Sequence, residues 1–227
     1  MKRSQINALL RDAAAFFESH SFRLPPFAFW SPQEWATKGS EYDEIRHNAL
    51  GWDITDFGSG DFERVGLLLF TVRNGNHARV RQYPKPYAEK IMIAREGQVT
   101  PYHFHWRKME DIINRGGGNL LVKLYNDDGN GEFADTPVMV CSDGRRYQVP
   151  AGSIVRLTPG QSITLAPGQY HSFWGEPGCG TVLIGEVSQV NDDSADNRFH
   201  DAVGRFPTIE EDEPKLWLLG NEYPAGT

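Results

Sequence analysis

Between residues 65 and 190 the chain is a succession of short apolar or alternating runs, and none of the intervals between them is long and periodic enough to be a crossover helix. The runs fall at 65–72, 88–95, 98–105, 119–126, 138–141, 145–149, 154–157, 162–165, 171–174 and 181–190. Glycines, prolines and Asn/Asp clusters separate them, as in Asn126-Asp127-Asp128-Gly129-Asn130-Gly131 and Ser142-Asp143-Gly144, which suit tight turns. Many short strands at near-regular spacing predict a mainly β, antiparallel sandwich or barrel, and the missing crossover helices exclude a βαβ arrangement.

The flanks read differently. Ser4 is positioned to cap a helix whose apolar residues Ile6, Leu9, Leu10, Ala13, Phe16 and Phe17 recur at threes and fours, ending near 19–21. Ser31-Pro32-Gln33-Glu34 predicts a second short helix with an N-cap, a first-turn proline and a capping-box acid. The stretch 37–60 has weak periodicity and reads as a short helix or irregular cover. The stretch 191–227, with Glu210-Glu211-Asp212-Glu213, reads as a solvated cover segment. The expectation is one domain, with an N-terminal cover over 1–64, a β core over 65–190 and a C-terminal cover over 191–227.

A net charge of −7 without a Lys/Arg run argues against nucleic acid as a partner. The first twenty residues carry charges through their apolar face, so they read as neither a signal peptide nor a membrane span, and a cytoplasmic location is expected. Cys141 and Cys179 are too few for a disulfide framework, in agreement with a reducing compartment.

The chemistry concentrates in His103, His105 and Glu110, with His171 sixty-one residues further on. On a strand, side chains two apart point the same way, so His103 and His105 form a pincer and Phe104 faces away. Three imidazoles and a carboxylate suit Mn, Fe, Co, Ni or Zn in the divalent state, and the lack of thiolate ligands argues against a closed structural zinc site. An open catalytic metal site is predicted.

Gly97, His103-x-His105, Glu110 and Gly117 reproduce, without a gap, the first motif of the cupin superfamily. Gly160 and Pro167-Gly168-Gln169-Tyr170-His171 resemble the second, although the proline stands one place late and Gly175 replaces the usual asparagine. Over essentially the whole chain the sequence resembles the bacterial D-lyxose isomerases, which are cupin sugar isomerases with an N-terminal helical extension. The resemblance implies a double-stranded β-helix fold, Mn(II) and a homodimer. It also implies interconversion of D-lyxose with D-xylulose and, more weakly, of D-mannose with D-fructose, by proton transfer through a metal-stabilised cis-enediolate. The motif by itself leaves an Fe(II) dioxygenase and a non-catalytic sugar-binding cupin open as alternatives.

Further candidates follow from residues that break the strand pattern. Lys90 stands opposite Ile91 and Ile93, so it points into the barrel if the isoleucines face an outer layer. Glu186 interrupts the apolar run 183–187. An isomerase needs an acid–base group, and Lys90, Glu186 and Asp193 are the candidates, with Arg198 and Trp174 as sugar contacts. Trp106, Tyr170 and Phe173 also flank the ligands, where packing is the ordinary explanation. His20, His47, His77 and His200 lack ligand spacing and read as surface or structural histidines.

Overall fold

The computed structural model describes residues 1–192, 195–204 and 207–226. The chain opens with helix α1 (Arg3–Ser19), followed by α2 (Pro32–Trp35) and α3 (Asp43–His47). The strands in chain order begin with β1 (Gly51–Thr55), β2 (Leu67–Arg73), β3 (Tyr87–Ala94), β4 (Thr100–His105) and β5 (Glu110–Gly117). Next come β6 (Leu120–Asp127), β7 (Phe133–Ala134), β8 (Val138–Ser142), β9 (Arg145–Val149) and β10 (Ile154–Leu157). The last four are β11 (Ser162–Leu165), β12 (Gln169–Gly175), β13 (Val182–Gln189) and β14 (Asn197–Phe199). Every pairing between these strands is antiparallel. They form a large sheet in the order β1-β2-β3-β13-β5-β11-β8-β9 and a small one in the order β10-β6-β12-β4-β14.

Two apolar layers follow from strand alternation. Leu69, Met92, Ile112 and Ile184 of the large sheet face Val122, Leu124 and Phe173 of the small one, and together they make the barrel core. The opposite face of the large sheet presents Trp52, Ile54, Phe70, Ile91, Ile93 and Leu183 to Ile6, Leu10, Ala13 and Phe17 of α1. Ile91 and Ile93 therefore do face an outer layer, and Lys90, which precedes Ile91, turns inward with Met92, buried to 6% exposure. This is the predicted cupin double-stranded β-helix with an N-terminal helical extension.

The sequence expectations need four adjustments. Ser4 does not cap α1: the cap is Lys2, whose N–H donates to Gln5, while Ser4 sits in the first turn and donates its N–H and hydroxyl to Asp212. Within the 37–60 stretch, 51–55 is a strand that edges the large sheet; the periodicity hid because the run is five residues with Asp53 at its centre. Strand β5 was also unread, since its sequence carries Asp111, Asn114, Arg115 and two glycines; fully buried Asn114 is accommodated by donating to the carbonyls of Gly118 and Leu157. Nor is 191–227 merely a cover: β14 pairs with β4, and Glu211, Asp212 and Glu213 grip Arg3, Ser4 and Asn7 of α1. Ser31 caps α2 as expected, with Glu34 returning the bond. Cys141 and Cys179 are free thiols.

Candidate metal centre

Strand pairing assembles the imidazoles. His103 and His105 project from one face of β4, and His171 stands directly across from His103 on β12. Phe104, between the two histidines, turns the other way and packs on Trp106 and Tyr170. Gly168, at φ +74° in the turn before β12, donates its N–H to the carbonyl of His105 at 3.0 Å, which ties the ends of the two motifs together despite the displaced proline. Glu110 enters from β5 of the large sheet, so the cluster bridges both sheets.

One ligand atom from each of His103, His105, Glu110 and His171 can be chosen so that all four lie within 4.8 Å of one another. All four residues are at most 9% exposed. Nδ1 of His103 donates to the carbonyl of Pro101 at 2.9 Å, and Nδ1 of His171 to that of Gln169 at 3.1 Å. A carbonyl only accepts, so these bonds place the proton on Nδ1 and leave the Nε2 lone pair for an ion. Nε2 of His105 and of His171 have no hydrogen-bond partner, although they lie 3.3 and 3.2 Å from oxygens of Glu110. Burying such nitrogens without a partner is costly, and a divalent cation would satisfy them. Burial, and then repulsion from His171 and His105, hold His103 well below its ordinary value, which favours the neutral, ligating imidazole. For Glu110, burial alone would raise the value, but Lys108 and His105 overcome it and hold the carboxylate ionised.

Behind Glu110 lies a buried charge network. Lys108 Nζ donates to Glu110 Oε2 at 2.7 Å, Glu186 Oε1 at 2.9 Å and Asn191 Oδ1 at 3.2 Å. Lys90, opposite Glu186 in the β3–β13 register, reaches Glu186 at 3.2–3.3 Å and Asn191 Oδ1 at 2.9 Å. Among the described residues joined by these bonds, two ammoniums face two carboxylates, a pairing under which such groups tolerate burial. Burial would raise Glu186 as well, yet the charges of Lys108 and Lys90 outweigh it and hold the group below the usual carboxylate range.

The adjoining cavity is lined by Lys90, His103, His105, Lys108, Glu110, Phe173, Glu186 and Phe199, with Asp53, Thr55 and Asn197 at its wall. Lys90 and Glu186 thus come together beside the histidines. Trp174 and Arg198 do not line it: strand alternation sends Phe173 and Phe199 there instead, and Arg198 donates to the carbonyl of Phe199. Asp193 lies outside the described residues. Sequence reasoning missed Lys108, Asn191 and Phe199; for Lys108 the signal was present, as a lysine two places before a ligand. Phe199 stacks on His103, with centroids 5.3 Å apart.

Fold and cluster together define a cupin with a three-histidine, one-glutamate site able to hold a divalent ion. The sequence profile described as "D-lyxose isomerase" matches residues 1–223. D-lyxose/D-mannose isomerases of Serratia proteamaculans and Escherichia coli O157:H7 are each 54% identical over 224 residues, covering 98% of both chains. An L-ribose isomerase of Cellulomonas parahominis, in a structure with L-ribose, superposes with a TM-score of 0.61 at 18% identity, covering 92% of this chain and 98% of that one, a likeness that speaks to the fold alone. The chain belongs to the D-lyxose isomerase family, and it is an isomerase.

Proposed function

We propose that the protein interconverts D-lyxose and D-xylulose and, more weakly, D-mannose and D-fructose, with Glu186 carrying the proton between the sugar's C2 and C1. The observation that carries this reading is a buried carboxylate, 4% exposed, held by two lysine ammoniums on the wall of the cavity that His103, His105 and Glu110 also line. When bound by His103, His105, Glu110 and His171, a divalent ion, which we take to be Mn(II), supplies Lewis-acid polarisation of the sugar's carbonyl and neighbouring hydroxyl.

The chain's own residues do the rest. Proton removal beside a carbonyl needs a base already ionised at neutral pH, and Lys108 and Lys90 keep Glu186 in that state. One carboxylate serving adjacent carbons takes and returns the proton on a single face of the sugar. Lys108 directs its ammonium to Glu110, Glu186 and Asn191, while Lys90, bonded to Glu186 and Asn191, stands on the cavity wall, where its ammonium can meet a sugar hydroxyl. Phe173 and Phe199 give the cavity apolar walls suited to sugar C–H faces and to excluding water.

The test is to load the protein with Mn(II), offer a panel of pentoses and hexoses in deuterated water, and measure ketose and its deuterium content. Ketose from lyxose and mannose with deuterium at C1 supports the reading, and replacing Glu186 by Gln should lower kcat by roughly a hundredfold or more. No ketose from either sugar sinks it. A homodimer, expected from the resemblance, and a cytoplasmic location, expected from the charged first twenty residues and the two cysteines, complete the proposal; sedimentation checks the first and cell fractionation the second.

A further inference from the structure

We propose that Asn74, acting through Asn191, is a positioning residue that keeps the Lys90 ammonium from closing onto Glu186. This rests on the isomerase reading of Glu186. Charge-assisted N–H···O bonds settle at about 2.7–2.9 Å, and Lys108 meets both of its carboxylates within that range. Lys90 does not: it stands 3.2–3.3 Å from Glu186 while lying 2.9 Å from the neutral Oδ1 of Asn191. In a buried pocket the carboxylate should win that competition, so something must fix the amide where it draws the lysine aside.

Asn74 supplies the fixing. Its Oδ1 accepts from the backbone N–H of Asn191 and its Nδ2 donates to the backbone carbonyl of Asn191, both at 3.0 Å, so a side-chain amide replaces the strand neighbour that a residue beyond the end of β13 lacks. Asn74 is locked in turn by Asn48: the Nδ2 of each donates to the main-chain carbonyl of the other, at 3.0 and 3.2 Å. Asn48 Oδ1 accepts from Asn76, at 3.0 Å. Asn48 and Asn74 are 2% and 5% exposed. Only an amide offers a donor and an acceptor at this spacing without charge, and the ladder therefore fixes Asn191 without disturbing the pairing of two ammoniums and two carboxylates.

The experiment compares the Mn(II)-loaded wild type with Asn74→Ala, Asn74→Asp and Asn191→Ala. Steady-state kinetics on D-lyxose, bound metal per chain, melting temperature and NMR of the lysine ammonium groups, assigned with Lys90→Met, are read for each. Asn74→Ala should lower kcat by roughly tenfold or more with KM changed by less than about twofold and metal content unchanged. The ammonium signal of Lys90, now closed onto Glu186, should exchange more slowly with water. Asn74→Asp, which keeps the acceptor for the Asn191 N–H, should recover part of kcat. Should Asn74→Ala fail to fold, Asn191→Ala, which deletes only the shared acceptor, gives the same reading. A folded variant with kcat within about twofold of wild type, or a loss that follows metal content or melting temperature, would overturn the proposal. If the wild type forms no ketose, the isomerase reading has failed, while the ammonium signals still decide whether the ladder positions Lys90.

Discussion

Removing one charge from the buried quartet of Lys90, Lys108, Glu110 and Glu186 strands its partners. Glu186→Ala leaves two ammoniums without their shared carboxylate and should destabilise the metal-free protein by about 3 kcal/mol, whereas Glu186→Gln keeps an acceptor and should cost less. Urea denaturation of both variants checks the order; equal midpoints would contradict it. His171→Ala is a different case, because its Nε2 has no hydrogen-bond partner, and metal content should fall far more than the stability of the metal-free fold. Equilibrium dialysis against Mn(II) beside a melting curve separates the two effects. At this scale the sequence was readable where chemistry is local: His103 and His105 declare themselves by period two, and Lys90 and Glu186 by interrupting apolar strands. Lys108 meets Glu186 across 78 residues and Lys90 meets Asn191 across 101, and no periodicity encodes such meetings.

Among the elements, α1 shows how a surface helix is fixed. Its apolar stripe was plain from spacing, and Phe17, fully buried and stacked on Trp52 at 6.0 Å, anchors it; Phe17→Ala should cost about 3 kcal/mol in urea denaturation. The polar half of the anchorage was not legible, since an acidic run reads alike whether it is solvated or clasped. Arg3, completely buried, is held by Glu211 and Glu222, and Asp212 receives Ser4. Hydrogen bonds from Arg3 lower Glu211, and those from Ser4 lower Asp212. Both folded values therefore lie below the unfolded ones, and the contribution of the clasp is complete above the ordinary carboxylate range and disappears as pH falls through the lowered values. The urea midpoint should drop on acidification, and Glu211→Gln/Asp212→Asn should show a shallower drop over the same interval. Strands β1, β5 and β14 escaped a sequence reading for a related reason: each is short or polar and is held in place by its neighbours rather than by its own pattern.

The whole molecule is held by two apolar layers that owe nothing to an ion. Stripping metal with a chelator should leave the far-UV circular dichroism intact, and saturating Mn(II) should raise the melting temperature, by an amount equivalent to about 2.7 kcal/mol at a hundred times Kd. Loss of the β signal on chelation would make the site structural instead. The sandwich class was legible because turns and strand lengths repeat; which sheet each strand joins was not, because partners such as β5 and β13 are far apart in sequence.

His103, His105 and His171 belong to the small sheet, while Glu110 alone reaches across from the large one. The candidate ligand set is therefore a caliper closed on the gap between the sheets. A cavity opened at Ile112 or Phe173, neither of them a ligand, changes that gap, so metal affinity becomes a readout of barrel packing, measurable without any sugar.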